Sequence, residues 1–296
     1  MQPYQELEQK YAAFVGAKHA VSCNSGTAAL HLGLLALGVG KGDEVIIPDF
    51  TMAVCGFAVS YCNATPVFVD CDDSLCMDWR LIEKKITRKT KAIMAVHIYG
   101  RLCNMKEIIR IAKKHKLKVI EDACEAQGAV YKSKADITCY SFYENKIIHA
   151  EEGGICTTDN KKYAERIAYL KNMAFGEKHD YFHKEIGFNY RMPNSQAKLA
   201  LQSLKEVKKE LRRRRKFESF CRETLPKECT TLPKRDVVWV YDYLGEPVRG
   251  FITDGIETLV QTRPFFKPLS SFPMYGGKCQ SPKAKWYSER GHYIKL

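Results

Sequence analysis

Short β-rich runs alternate with helix-like stretches through the first 160 residues of the chain. Seven runs read as strands: His19–Cys23, Glu44–Pro48, Pro66–Asp70, Ala92–His97, Lys118–Asp122, Asp136–Phe142 and Gly154–Thr158. Between the first six lie mostly helix-like stretches, among them Thr27–Leu37, Trp79–Ile86 and Met105–Lys116, whose apolar residues recur at helical spacing. A short hairpin-like link with Tyr131–Lys134 precedes the sixth strand. Alternation of this kind predicts a mostly parallel sheet sandwiched by helices. Such sheets bind ligands at the carboxyl ends of strands and at helix N-termini. Functional residues are therefore expected there.

Beyond Asn160 the pattern changes. Helical stretches cover Lys161–Met173 and Ser195–Cys221, separated by a Gly- and aromatic-rich loop. After Leu225 come strand-like pieces, Val237–Leu244 and Ile256–Gln261, and a Pro/Gly-rich tail. This predicts a large domain over residues 1–205 and a smaller C-terminal domain over residues 206–296, with the boundary inside a long helix. There is no internal repeat and no low-complexity segment.

Composition narrows the class. At 296 residues, with 45% hydrophobic and 27% charged positions, the chain has an ordinary globular balance. No apolar run approaches the ~20 residues of a membrane span. The N-terminal MQPYQELEQKYAAF is acidic and amphipathic, unlike an export signal. The 12 cysteines are scattered singly, without Cys-x-x-Cys pairs, and Cys139 and Cys156 sit in apolar runs as small hydrophobes. A cytoplasmic protein without a metal is expected. The formal charge of +13 is densest at Lys208–Lys209 and Arg212–Lys216, within EVKKELRRRRKF. That stretch reads as the solvated face of a helix, and no nucleic-acid-binding signature accompanies it. A small anionic substrate accounts for the sign.

Three constellations sit at the strand ends. Ser25-Gly26-Thr27 follows the first strand and opens a helix; it reads as a phosphate cradle or as a plain N-cap. Glu121-Asp122 ends a buried strand, where a carboxylate needs a cationic partner, a metal or a helix to cap. A protonated pyridine nitrogen would be such a partner. Ser141-Phe142-Tyr143-Glu144-Asn145-Lys146 ends in a lysine before the Gly-rich turn Glu151-Glu152-Gly153-Gly154, where an amine could reach a cofactor aldehyde. Each alone is weak.

Together and in this order they resemble the PLP (pyridoxal 5′-phosphate)-dependent sugar aminotransferases of the DegT/DnrJ/StrS group, of fold type I. Supporting stretches are GDEVIIP (42–48), ATPVFVD (64–70), TKAIMAVHIYG (90–100), VIEDACEAQGA (119–129), EGGICTTD (152–159) and IGFNYRMPNSQA (186–197). The tail QTRPFFKPLSSFPMY (261–275) is similar to the GDP-perosamine synthase branch. The resemblance implies an α/β fold with a seven-stranded, mostly parallel sheet and a smaller C-terminal α/β domain. It implies that Lys146 carries the cofactor as a Schiff base and shuttles the proton, while Asp122 pairs with the pyridine nitrogen. Ser25, Gly26, Thr27 and Ser141 would hold the phosphate, with Asn189 reaching the cofactor of a neighbouring subunit in a homodimer with shared sites. Glu125 would lie near the ring, and His183 and Arg263 are substrate-side candidates.

Lys146 favours transamination, since related dehydratases carry His at that position. The resemblance thus implies transfer of an amino group from L-glutamate to a nucleotide-linked 4-keto-6-deoxy sugar. The alternatives are a 3-keto sugar, or a catalytically silent or regulatory homologue. Three departures stand out: Met52 follows Thr51 where the family usually places an aromatic, the chain is shorter at both ends, and the segment between the Arg run and Trp239 is compressed. Met52 can still make a soft apolar contact with the ring.

Overall fold

Seven strands form one sheet in the order β1-β7-β6-β5-β4-β2-β3. They are β1 (His19–Cys23), β2 (Glu44–Pro48), β3 (Thr65–Val69), β4 (Thr90–Val96), β5 (Lys118–Asp122), β6 (Ile137–Ser141) and β7 (Gly154–Thr158). Neighbours from β3 to β6 pair in parallel, and only β7 runs against its partners, β6 and β1. The computed structural model describes residues 1–176, 181–253 and 256–296. The seven strands predicted for this sheet agree with the observed ones to within two residues at every end. β6 and β7 are buried at every position, because helices cover both faces of the sheet centre.

The flanking helices are α1 (Pro3–Val15), α2 (Gly26–Ala36), α3 (Val54–Tyr61), α4 (Trp79–Ile82), α5 (Met105–His115) and α6 (Lys161–Lys171). α1, amphipathic in sequence, and α3, short and mostly apolar, are not among the helices predicted above. α1 is instead started locally: Gln2 and Gln5 form a reciprocal capping box and Pro3 occupies the first turn. α2 is a buried Ala/Leu helix capped by Ser25, whose Oγ accepts the N–H of Ala28 at 3.1 Å.

α7 (Asn194–Thr224) is a continuous helix of 31 residues. Its Arg run is not wholly a solvated face. Arg212, Arg213 and Arg215 are exposed, but Arg214 is buried, paired with Glu210 and donating to the carbonyl of Trp239. Beyond α7 follow β8 (Thr230–Thr231), β9 (Tyr241–Leu244), β10 (Gly250–Thr253), β11 (Ile256–Leu259), β12 (Thr262–Pro264), α8 (Pro282–Arg290) and β13 (Gly291–Ile294). A four-stranded sheet has the order β12-β13-β9-β8.

The strand expected over Val237–Leu244 is shorter: Val237, Trp239 and Val240 are buried in the core of the large sheet instead. A buried ion cluster fixes this C-terminal part. Arg101, at the end of the loop after β4, reaches Asp242 at 2.7 Å and the Pro233 carbonyl, while Arg235 bonds both Asp242 and Glu218. Removing one partner from such a cluster typically costs about 3–5 kcal/mol, because the remaining charge is stranded in the interior.

Candidate active site

A cavity of about 340 Å³ opens at the carboxyl ends of the parallel strands. Ser25, Gly26, Thr27, Met52, Asp122, Glu125, Ser141 and Lys146 all line it. Sequence reasoning grouped these residues by strand ends, and the sheet order brings them together. Asp122 ends β5 and Ser141 ends β6, next to it in the sheet. Glu121 points to the opposite face, where its Oε2 accepts from Tyr131 Oη at 3.0 Å and lies 3.6 Å from His97 Nε2. The alternation of a strand thus gives the two adjacent carboxylates different duties.

The rim of the cavity at Ser25–Thr27 is shaped by close backbone approach. A Cβ added at Gly26 would lie 2.7 Å from Ser141 Cβ, and one at Gly154 only 2.3 Å from the Ser25 carbonyl oxygen. Only glycine at both positions lets the β1–α2 turn settle onto β6 and β7. Ser141 Oγ accepts the N–H of Tyr143 at 3.2 Å, so its own proton is left to donate into the cavity.

Lys146 lies on the turn between β6 and β7. Ile147 and Ile148 anchor that turn in the core. Gln127, not singled out in the sequence, clamps it: its Nε2 donates to the Ser141 carbonyl at 3.0 Å and its Oε1 accepts the N–H of Ile148 at 2.9 Å. The lysine ammonium stands 3.9 Å from Glu125 Oε1 and 3.9 Å from the centre of the Trp239 ring. Glu125 is buried, and its Oε2 accepts the N–H of Tyr99 at 2.8 Å. Tyr99 adopts φ 50°, a left-handed conformation costly for a bulky residue, and so presents that N–H to the carboxylate. Burial pushes the Glu125 carboxyl up to about 7, against the opposing pull of Lys146 and the Tyr99 N–H.

The remaining wall includes Thr51, Cys124, Tyr143, Asn145, Trp239, Phe266 and Tyr293. The last three come from the C-terminal part, and nothing local in their sequence marks them. Asn189, His183 and Arg263 lie outside the cavity of their own chain. Asn189 is exposed and bridges Asn172 at the end of α6. His183 is exposed, with Nδ1 2.8 Å from the Met173 carbonyl. Arg263 is exposed on β12, in register with Tyr293.

The family model for the DegT/DnrJ/EryC1/StrS aminotransferases matches residues 2–295. The chain belongs to that family. It is 39% identical over 288 residues to a GDP-perosamine synthase of Caulobacter vibrioides, covering 91% of this chain and 78% of that one. Among solved structures, S. venezuelae DesV in complex with a ketimine intermediate superposes with a TM-score of 0.87 at 27% identity, covering 100% of this chain and 84% of the other. NtdA from Bacillus subtilis, with bound cofactor PMP, superposes with a TM-score of 0.83 at 27% identity, covering 100% and 73%.

The cofactor of this aminotransferase is pyridoxal phosphate, and the residues present fit it. The glycine-lined turn at the N-terminus of α2, with the Ser141 hydroxyl beside it, provides hydrogen-bond donors for a phosphate. A buried carboxylate, Asp122, and a primary amine, Lys146, line the same cavity, as a pyridine nitrogen and an aldehyde require.

Proposed function

We propose that the chain transfers an amino group from L-glutamate to a nucleotide-linked 4-keto-6-deoxy sugar. The observation that carries this reading is the convergence of Lys146, Asp122 and the Ser25–Thr27 turn on one cavity. The likeness to a GDP-perosamine synthase supports the sugar class. Bound pyridoxal phosphate supplies an electron sink and a temporary carrier for the amino group. Lys146 would hold the cofactor by its aldehyde and, once the donor's amino group has displaced it, its freed amine would be the base that moves the proton between the donor carbon and the cofactor. Asp122 keeps the ring nitrogen protonated. Ser25, Gly26, Thr27 and Ser141 hold the phosphate, Met52 packs on the ring with its thioether, and Glu125 stands beside the lysine ready to take or give a proton near neutral pH.

Residues 1–205 form the cofactor-binding part and residues 206–296 the smaller part that closes the cavity with Trp239, Phe266 and Tyr293. The exposed position of Asn189 supports its use in the site of a second copy, in a cytoplasmic homodimer. His183 and Arg263 are assigned to the nucleotide sugar.

Purified protein loaded with pyridoxal phosphate is expected to be yellow and to bleach with glutamate. Borohydride should trap the cofactor on Lys146, and Lys146→Ala should lose transamination with its fold intact. A label on another lysine overturns the assignment. Assay of a panel of nucleotide-linked keto sugars identifies the acceptor, and transfer to a 3-keto sugar alone overturns the 4-keto reading.

A further inference from the structure

Cys55 occupies the first turn of α3 and is fully buried. Its Sγ lies 3.3 Å from Asp122 Oδ2 and 3.3 Å from Thr51 Oγ1. The other carboxylate oxygen, Oδ1, accepts the backbone N–H of Cys124 at 3.0 Å. The direction of these bonds follows from the chemistry. A carboxylate has no proton to give, so the thiol donates to Oδ2, and the Thr51 hydroxyl is free to donate to the sulfur. Burial and the neighbouring Asp122 charge push the Cys55 thiol well up, which keeps it a donor. Each Asp122 oxygen therefore accepts a hydrogen bond from the protein, and the carboxylate cannot rotate without breaking one of them.

We propose that Cys55 is a positioning residue of the transamination site, whose S–H fixes the Asp122 carboxylate against the ring nitrogen of the cofactor. The inference rests on the role given to Asp122 above. A thiol is a weak donor, so it orients the carboxylate while drawing off little of the negative charge that keeps the nitrogen protonated. A stronger donor at the same place would orient equally well but compete more for that charge. Thr51, which lines the cavity, extends the same chain of bonds to the cofactor's edge.

The test compares the parent, Cys55→Ala and Cys55→Ser, each loaded with pyridoxal phosphate labelled with ¹⁵N in the ring. Three quantities are read: the ring-nitrogen chemical shift, kcat and KM for glutamate, and the thermal midpoint. Cys55→Ala is expected to lower kcat about fivefold with KM changed by less than about twofold, as for loss of one hydrogen bond from a weak donor. Its ring-nitrogen signal should move toward that of neutral pyridine, while the midpoint stays within about 3 °C. Cys55→Ser should recover at least half of the loss in kcat and most of the shift. Cys55→Val fills the space without a donor; it should show the same losses and takes the place of the alanine variant if that one fails to bind cofactor. Parental kcat and ring signal in Cys55→Ala or Cys55→Val overturn the proposal. So does equal slowing in the alanine and serine variants with a parental ring signal and a lowered midpoint, which is a packing defect alone. All arms are read against a loaded parent; a parent that takes up no cofactor fails the functional reading instead.

Discussion

Trp239 covers the amine of Lys146, with the ring centre 3.9 Å from Nζ, and its Nε1–H donates to the carbonyl of Asn145 at 3.0 Å. One side chain of the C-terminal part thus touches both the Lys146 amine and the turn that carries it. Arg214 holds the Trp239 carbonyl in turn, so the grip runs back to α7.

Trp239→Ala is expected to destabilise the fold by about 3–5 kcal/mol, the usual cost of a large buried aromatic. It should also slow transamination about tenfold, since both the ring contact and the bond to Asn145 are lost. Trp239→Phe keeps a ring over the ammonium and should retain most of the turnover. Urea unfolding and glutamate kinetics on both variants separate the two effects. If phenylalanine is as slow as alanine, the indole N–H matters and the ring face does not.

Asp122→Asn should keep the cofactor but lose turnover by about 100-fold or more, because an uncharged amide no longer favours a protonated ring nitrogen. Cofactor absorbance and kcat are the two measurements. Near-normal turnover would remove Asp122 from its role.

Glu125 gives a pH dependence with a definite sign. Its carboxyl titrates at about 7 in the folded protein, against an ordinary value of 4.5. The folded state therefore holds this proton more tightly than the unfolded chain does. That advantage is complete below about pH 4.5 and is lost as pH rises through about 7. Glu125→Gln has no such titration. The unfolding free energy of the parent relative to Glu125→Gln should fall by roughly 3 kcal/mol between those limits. Urea midpoints of the cofactor-free proteins across the range test it, and a pH-independent difference would contradict the burial of this carboxyl.

Mixing two inactive variants tests the shared site. Lys146→Ala and Asn189→Asp should each inactivate their own homodimer, the latter by setting a carboxylate against phosphate. In a mixed two-fold dimer one site receives both defects and the other neither. Co-refolding should restore about a quarter of parental activity, since half of the dimers are mixed and each of these has one intact site out of two. If mixed dimers form and recover nothing, Asn189 acts in its own subunit or not at all.

Sequence by itself determined the sheet and which candidate residues stand at its strand ends. Buried strands and helices alternate with enough period to place all seven strands of the large sheet, and residues at strand ends converge by geometry alone. That is why Ser25–Thr27, Asp122, Ser141 and Lys146 are legible in the chain itself. α1 and α3 are less so: the start of α1 is set by its cap, and α3 is too short and apolar to show a helical period. Tertiary structure decided what lies between distant segments. Trp239, Phe266 and Tyr293 become cavity wall because long-range contacts draw the C-terminal part against the strand ends, among them the Arg101–Asp242–Arg235 cluster and the Ser270–Asp49 bonds. Cys55, Gln127 and Tyr99 act through other side chains, and such bonds depend on distances of a few ångströms that no local pattern encodes. Arg214 shows the limit most simply. Its three neighbours in the run share its charge, and only the rotation of α7 against the core buries it while they meet water.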